Sequence, residues 1–219
     1  MINESVVIDV LRYMSEDGDN PPILRLLVDH FYDYDDHLSM LKHVYRLHDL
    51  DRDGVSRDAW TNGQISSKHW LLSTLAGLDM DLGDVWILCG WVGSLAMMMN
   101  HRRPGLRHGR IRSFDVDQRC AALAESLNRP TVRDGWRFKA TTMDINEISY
   151  VDFQYATERY DGSEVKLIET ADTIINTSCD HMGDDSTWWD NIPAGKLVIL
   201  QNNDFVDVNE HDNLSLIHI

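Results

Sequence analysis

Asp84-Val-Trp-Ile-Leu-Cys-Gly-Trp-Val-Gly93 is the stretch that most restricts how this chain can fold. Val85 to Leu88 is an unbroken apolar run, the pattern of a strand buried on both faces. It breaks at Cys89-Gly90-Trp91-Val92-Gly93, and Ser94 to Met99 reads as the start of a helix. A strand that passes through a glycine turn into a helix brings backbone N–H groups and the positive helix end to one point. That point suits a nucleotide-like or anionic ligand group, and the glycines let it approach the backbone. With only two glycines, a strand–turn–helix without a ligand is the alternative reading.

A second strand is predicted over Gly109 to Phe114, ending in Asp115-Val-Asp117. Asp115 lies 22 positions after Gly93, near the spacing of about 20 at which a nucleotide-binding βαβ unit places its ribose-binding acid. An acid there accepts from the ribose hydroxyls. The alternative is that Asp115 or Asp117 caps the helix that follows, Gln118 to Leu127, and Asp117 suits that role.

Residues 1 to about 80 lack strand alternation and carry apolar residues at helix spacing, among them Val6, Val7, Val10 and Leu11. Pro21-Pro22 opens a second helix and Asp35 to Leu47 forms a third. Leu71, Leu72, Leu75 and Leu78 mark another before the first strand, with Lys68 near its start. Lys68 can reach a ligand carboxylate; solvent exposure is the alternative. Asp49-Leu-Asp51-Arg-Asp53-Gly54 begins like a calcium loop, but Trp60 stands where a bidentate Glu is required, so it is read as an acidic turn with no metal. Trp136 to Ala140 is a third strand, residues 151–168 a hairpin about Asp161-Gly162, Ala171 to Asn176 a fourth strand and Lys196 to Gln201 a fifth. Residues 185–191 read as a short helix. Strands alternating with helices predict an α/β fold: a doubly wound, mainly parallel Rossmann-like sheet over residues 81–219, preceded by an N-terminal helical subdomain over 1–80. Its ligands belong beyond the carboxyl ends of the strands, where Gly90, Gly93, Asp115, Asp144 and Asn176 to His181 fall.

A net charge of −16 argues against a broad nucleic-acid-binding face and favours a small-molecule substrate. The basic run His101 to Arg110 reads as a solvated loop. Three cysteines, at 89, 120 and 179, form no CxxC pair and indicate neither a disulfide framework nor a zinc site. No run approaches the roughly 20 apolar residues of a membrane span, and the N-terminus lacks the order of a signal peptide. A reducing cytoplasm is the expected setting.

The chain resembles class I S-adenosylmethionine-dependent methyltransferases. Cys89-Gly-Trp-Val-Gly93 is similar to their first glycine motif, Phe114-Asp115-Val-Asp117 to the acidic end of their second strand, and Thr142-Met-Asp144 to the segment that holds adenine. Gly63-Gln-Ile-Ser-Ser-Lys68, Gly90-Trp-Val-Gly93, Asn176-Thr-Ser-Cys-Asp-His181 and Leu200-Gln-Asn-Asn203 together look like a methyltransferase-like group common in phage and marine microbial sequences. The resemblance spans roughly residues 62–211. It implies S-adenosylmethionine as cofactor, held by Gly90, Trp91, Gly93, Asp115 and Asp144, with Lys68 as a further candidate. It places catalysis on Asn176, Asp180 and His181: His181 as base, Asp180 and Asn176 orienting the acceptor. Capping of the next segment is the alternative for Asp180 and His181. Trp91 and Val92 stand where a third glycine is usual, and the fourth-strand motif is not the Asn/Asp-Pro-Pro-Tyr of base-methylating enzymes. The family fold ends with two more strands, so the C-terminus reads as truncated. A lyase or aminocarboxypropyl transferase on the same cofactor, a nicotinamide dehydrogenase and a non-catalytic binding module are the rival readings.

Overall fold

The computed structural model describes residues 47, 50–101, 105–158, 162–179 and 187–202. Most of the predicted N-terminal helical subdomain therefore lies outside the described residues. So do Asp180, His181 and the segment after Asn202.

Helix α1, Asn62–Gly77, starts at Thr61, whose hydroxyl accepts from the Gln64 backbone N–H. Its buried stripe is Ile65, Lys68, Leu71, Leu72 and Leu75, one helical face with a lysine in it. Leu78 follows the helix and is exposed, unlike its predicted place on the stripe. The predicted acidic turn is closed by its own carboxylate. Asp51 Oδ1 accepts from Val55 N, while Oδ2 accepts from Ser56 N and from its hydroxyl.

Five strands form the central sheet: β1 Val85–Leu88, β2 Ile111–Asp115, β3 Phe138–Thr142, β6 Thr173–Asn176 and β7 Leu197–Leu200. They are all parallel, in the order β3-β2-β1-β6-β7. This is the predicted Rossmann-like, doubly wound sheet. The chain steps outward from β1 to β3, returns to β1's other side at β6, and continues outward to β7. β4 Phe153–Glu158 and β5 Glu164–Glu169 form the separate antiparallel hairpin that the sequence placed there.

The two directions of winding put the connections on opposite faces, because parallel crossovers are right-handed. One face packs α1, α2 Ser94–His101 and α3 Cys120–Leu127 against Val85, Ile87, Ile111, Phe138, Ile175 and Ile199. Residues one step along the same strands, Trp86, Leu88, Phe114 and Ile174, face the other way. That second face is covered by the hairpin and two 3-10 turns, Ile145–Glu147 and Trp188–Asn191. The predicted short helix at 185–191 is thus a 3-10 turn over its described part. A short fourth helix, α4 Arg129–Arg133, follows α3.

The hairpin is fastened by aromatic packing and charge. Trp86 and Phe114 lie 5.1 Å apart between ring centres, and each packs on Phe153 of β4. Arg112, buried on β2, pairs with buried Glu169 of β5, which also accepts from the Tyr155 hydroxyl at 2.7 Å. Arg110 reaches the same carboxylate at 2.9 Å and Asp84 at 2.7 Å. The basic run is therefore not wholly solvated: among its described residues Arg110 is in this network and Arg107 pairs with Asp79.

Candidate functional site

β1 is where the strand order reverses, so the crevice beyond the carboxyl ends of β1 and β6 is the place where such a sheet binds ligands. Leu88 is the Cα partner of both Phe114 and Asn176, so the loops leaving β1, β2 and β6 start level with one another. The ladder runs one step further than the strands. Gly90 N donates to Phe114 O, Met143 N to Asp115 O, and Gln201 N to Asn176 O, each at 2.9 Å.

The glycine loop has an unusual backbone. Cys89, Trp91 and Gly93 all have positive φ, at 51°, 50° and 73°. Only glycine adopts this region freely, and a non-glycine residue there costs about 1 kcal/mol or more. Two such residues in three positions are held in place by the neighbouring strand. Trp91 N donates to Asp115 Oδ2 at 2.8 Å, and Asp117 N donates to Asp115 Oδ1 at 3.0 Å.

The glycines serve the protein's own packing first. A Cβ on Gly90 would lie 1.9 Å from the Ser113 hydroxyl oxygen, and one on Gly93 would lie 2.8 Å from Asn128 Nδ2 and 3.0 Å from Ala124 Cβ. Asn128 Nδ2 in turn donates to Gly93 O at 3.0 Å. Ser113 and Asn128 were not singled out from the sequence. Their only advance signal is that a small residue must face a glycine where strand and helix pack closely.

Asp115 is half-buried at the end of β2. Each of its oxygens receives one backbone N–H and keeps accepting capacity for a further donor. Asp117 accepts from Arg119 N at 2.9 Å and pairs with the Arg119 side chain, a local turn before α3; the N-cap of α3 is Arg119, without a side-chain cap bond, so Asp117 is not the cap expected from the sequence. Asp144 is exposed after β3 and accepts from Asn146 N at 2.9 Å, opening the first 3-10 turn. Asn146 holds the two turns together: its Oδ1 accepts from Thr187 N at 3.0 Å and its carbonyl accepts from Asn191 Nδ2 at 3.0 Å.

At the end of β6, Asn176 is fully buried and its Oδ1 accepts from Ser178 N at 2.9 Å. The Cys179 thiol donates to Asn176 O at 3.5 Å. Burial pushes the Cys89 thiol up to about 12, with Asp115, Cys179 and Asp144 adding to it, so Cys89 is a neutral thiol at neutral pH.

Lys68 is buried, not exposed. Its ammonium donates to the Gln64 side chain and, at 3.5 Å, to Gln64 O. Burial alone brings its pKa down to about 8. The adjacent Ser67 carbonyl accepts from Gln201 Nε2 at 3.0 Å, which seats this turn of α1 at the carboxyl end of β7. Gln201 lies outside every spacing argument available from the sequence. The structure thus gathers Gly90, Trp91, Gly93, Asp115, Asp144 and Asn176 at the carboxyl edge of the sheet, with Lys68 beside β7. Among the described residues no group of three or more His, Cys, Asp or Glu is placed to hold a metal ion, and no helix is long and apolar enough to cross a membrane.

No family model matches the chain, and no curated protein matches it. Solved structures that match in part include S-adenosylmethionine-dependent methyltransferases. One from Methanococcus maripaludis, itself described as putative, is 13% identical with a TM-score of 0.42 over 62% of this chain and 53% of its own, so this chain spans about half its length. Magnesium protoporphyrin IX methyltransferase from Synechocystis, with S-adenosylhomocysteine bound, is 14% identical with a TM-score of 0.39 over 89% of this chain and 71% of its own. A geranyl diphosphate methyltransferase, in complex with geranyl diphosphate and sinefungin, is 12% identical with a TM-score of 0.44 over 90% of this chain and 66% of its own.

Proposed function

We propose that this chain binds S-adenosylmethionine and transfers its methyl group to a small-molecule acceptor. The observation that carries the reading is the Trp91–Asp115 hydrogen bond at the switch point of the sheet. It joins the glycine loop to an acid that still has accepting capacity for two ribose hydroxyls. The residues present fit such a ligand: an acid at the end of β2, a second acid, Asp144, beyond β3, and a buried lysine whose hydrogen bonds among the described residues go to Gln64 and not to a carboxylate. The cofactor would supply an electrophilic methyl carbon on a sulfonium.

The protein's part is positioning and, where the acceptor needs it, proton removal. Gly90, Trp91 and Gly93 form the loop against which the ligand would lie, Asp115 offers the ribose contact, Asp144 the adenine contact and Lys68 a cation for the carboxylate. In this reading Asn176, Asp180 and His181 serve the acceptor, with His181 as the base. The charge of −16 supports a small acceptor over a polyanion.

Calorimetric titration with S-adenosylmethionine, S-adenosylhomocysteine and NAD tests the cofactor. Binding of the first two and not of NAD supports it; binding of NAD alone sinks it. Product analysis then separates methyl transfer, which releases S-adenosylhomocysteine, from a lyase or aminocarboxypropyl transfer.

A further inference from the structure

Helix α1 carries no charge on its outward face. The chain is 26% charged, yet of the 16 residues of α1 only Lys68 is a Lys, Arg, Asp or Glu, and it is buried. The buried stripe of Ile65, Lys68, Leu71, Leu72 and Leu75 takes one side of the helix. Opposite it, at steps of three and four, come Gly63, Ser66, Trp70, Thr74 and Gly77. Trp70, in the middle of that face, is 45% exposed, and its neighbours there are too short to shield an indole. A helix with one side in water normally turns charged side chains outward. Leu50, ahead of α1, and Leu78, directly after it, are exposed as well.

The chain that precedes α1 supplies a partner for this face. Leu47 is fully buried in the first-face core, which also holds Ala59, Trp60 and Ile65, and Asp51 N donates to Leu47 O at 2.8 Å. Residues 1–46 therefore join the described part on the α1 side of the sheet. Their sequence places Val6, Val7, Val10 and Leu11, then Ile23, Leu26 and Leu27, at helical spacing. Such a stripe is stable only when buried against another element. The segment is long enough for about three helices of average length. At 1.5 Å per residue α1 offers a face about 24 Å long.

We infer that the outward face of α1 is a docking surface for residues 1–46 of the same chain, with Trp70 as its central contact. Ser66, Thr74 and Gly77 let the docked segment come close, and the indole fills the space between them. The inference is independent of the cofactor reading. It makes α1 a middle layer, because the same helix is tied to the carboxyl edge of the sheet through Ser67 O and Gln201 Nε2 at 3.0 Å.

The experiment uses the full chain. Trp70→p-benzoylphenylalanine keeps an aromatic ring at the centre of the face and makes it photoreactive. After irradiation, mass spectrometry of the digested protein identifies the captured peptide, and a mixture of isotope-labelled and unlabelled chains separates capture within a chain from capture between chains. Capture of peptides from residues 1–46 of the same chain is expected. Capture of a second copy, or no capture within residues 1–46, overturns the inference. Trp70→Lys gives an independent reading, since a charge suits a face in water and not one under a docked segment. Limited proteolysis should then cut within residues 1–46 about tenfold faster than in wild type, because cleavage follows the population of the undocked state. Hydrogen exchange over residues 84–201 should stay as in wild type. Equal cleavage rates in the two proteins, or faster cleavage spread evenly along the chain, overturn the inference.

Discussion

The Trp91 backbone N–H donates to Asp115 Oδ2 at 2.8 Å, across 24 positions of sequence. Trp91 sits at φ 50°, and this bond together with that of Gly90 N to Phe114 O anchors the strained loop to β2. Asp115 therefore holds the loop, and under the proposed function the same carboxylate binds the ribose.

Asp115→Ala should lower stability as well as affinity. Two backbone N–H groups lose their acceptor, a cost of about 1–3 kcal/mol for each one left unsatisfied in the interior and less where water reaches it. Urea unfolding of the ligand-free variant measures the first effect, and titration with S-adenosylhomocysteine the second. Unchanged affinity in a folded variant removes the ribose assignment.

Gly90→Ala should destabilise because its Cβ meets the Ser113 hydroxyl at 1.9 Å. Removing that oxygen leaves the Ser113 Cβ at 3.2 Å, a tight but adjustable contact. Ser113→Ala should then recover much of the loss in the double variant, giving a coupling of about 0.5–3 kcal/mol. Additive thermal shifts in the two single variants would contradict the contact. Gly93→Ala should find no comparable rescue, since positive φ and contact with Ala124 and Asn128 act together.

Lys68 makes two opposite pH dependences. Its folded pKa, about 8, lies below the ordinary lysine value of 10.5, so between these values the unfolded chain binds the proton more tightly. Stability of the ligand-free protein should rise with pH over that interval, and the penalty is fully present below about 8. Affinity for S-adenosylhomocysteine should fall over the same interval, because a neutral amine no longer attracts the carboxylate. Lys68→Met should flatten both. Unfolding and titration across that range check the two slopes, and a pH-independent affinity in wild type would take Lys68 out of the ligand site.

The buried Arg112–Glu169 pair should be costly to break and cheap to replace. Burial alone would raise the Glu169 carboxyl, but the hydrogen bonds from Arg112 and Tyr155 outweigh it and hold it below the usual glutamate range. Arg112→Met leaves that carboxylate without its main partner, at a cost of about 3–5 kcal/mol. Arg112→Met with Glu169→Leu should cost less than Arg112→Met alone. Denaturant midpoints decide it, and a double variant weaker than the single would refute the account.

The sheet was legible in the sequence because each strand carries its own signal. Val85 to Leu88 and Thr173 to Asn176 are buried on both faces, so they read as continuous runs bounded by breaks. The Asp161-Gly162 turn and the flanking alternation gave away the hairpin in the same local way. The ends of β2 and β3 ran one or two residues beyond the sequence reading, since hydrogen bonds to neighbouring strands, not local composition, decide where pairing stops. Lys68 was half legible: it falls on the same helical stripe as Ile65 and Leu72, yet its charge argued for exposure.

Sequence by itself determined which described segments became the strands and the three longer helices, and the order in which they come, because periodicity and turn residues act over a few positions; the short helix Arg129–Arg133 and the 3-10 form of Trp188–Asn191 were not legible in it. Tertiary structure decided what those segments present to one another. Trp91 meets Asp115, Arg112 meets Glu169 and Gln201 meets Ser67 over separations of 24, 57 and 134 residues. No local pattern encodes such pairs, since they depend on which faces of distant elements come together. Right-handed crossovers fixed the face on which each connection lies, but only packing against Trp86 and Phe114 made the cover of the second face a hairpin and two short turns.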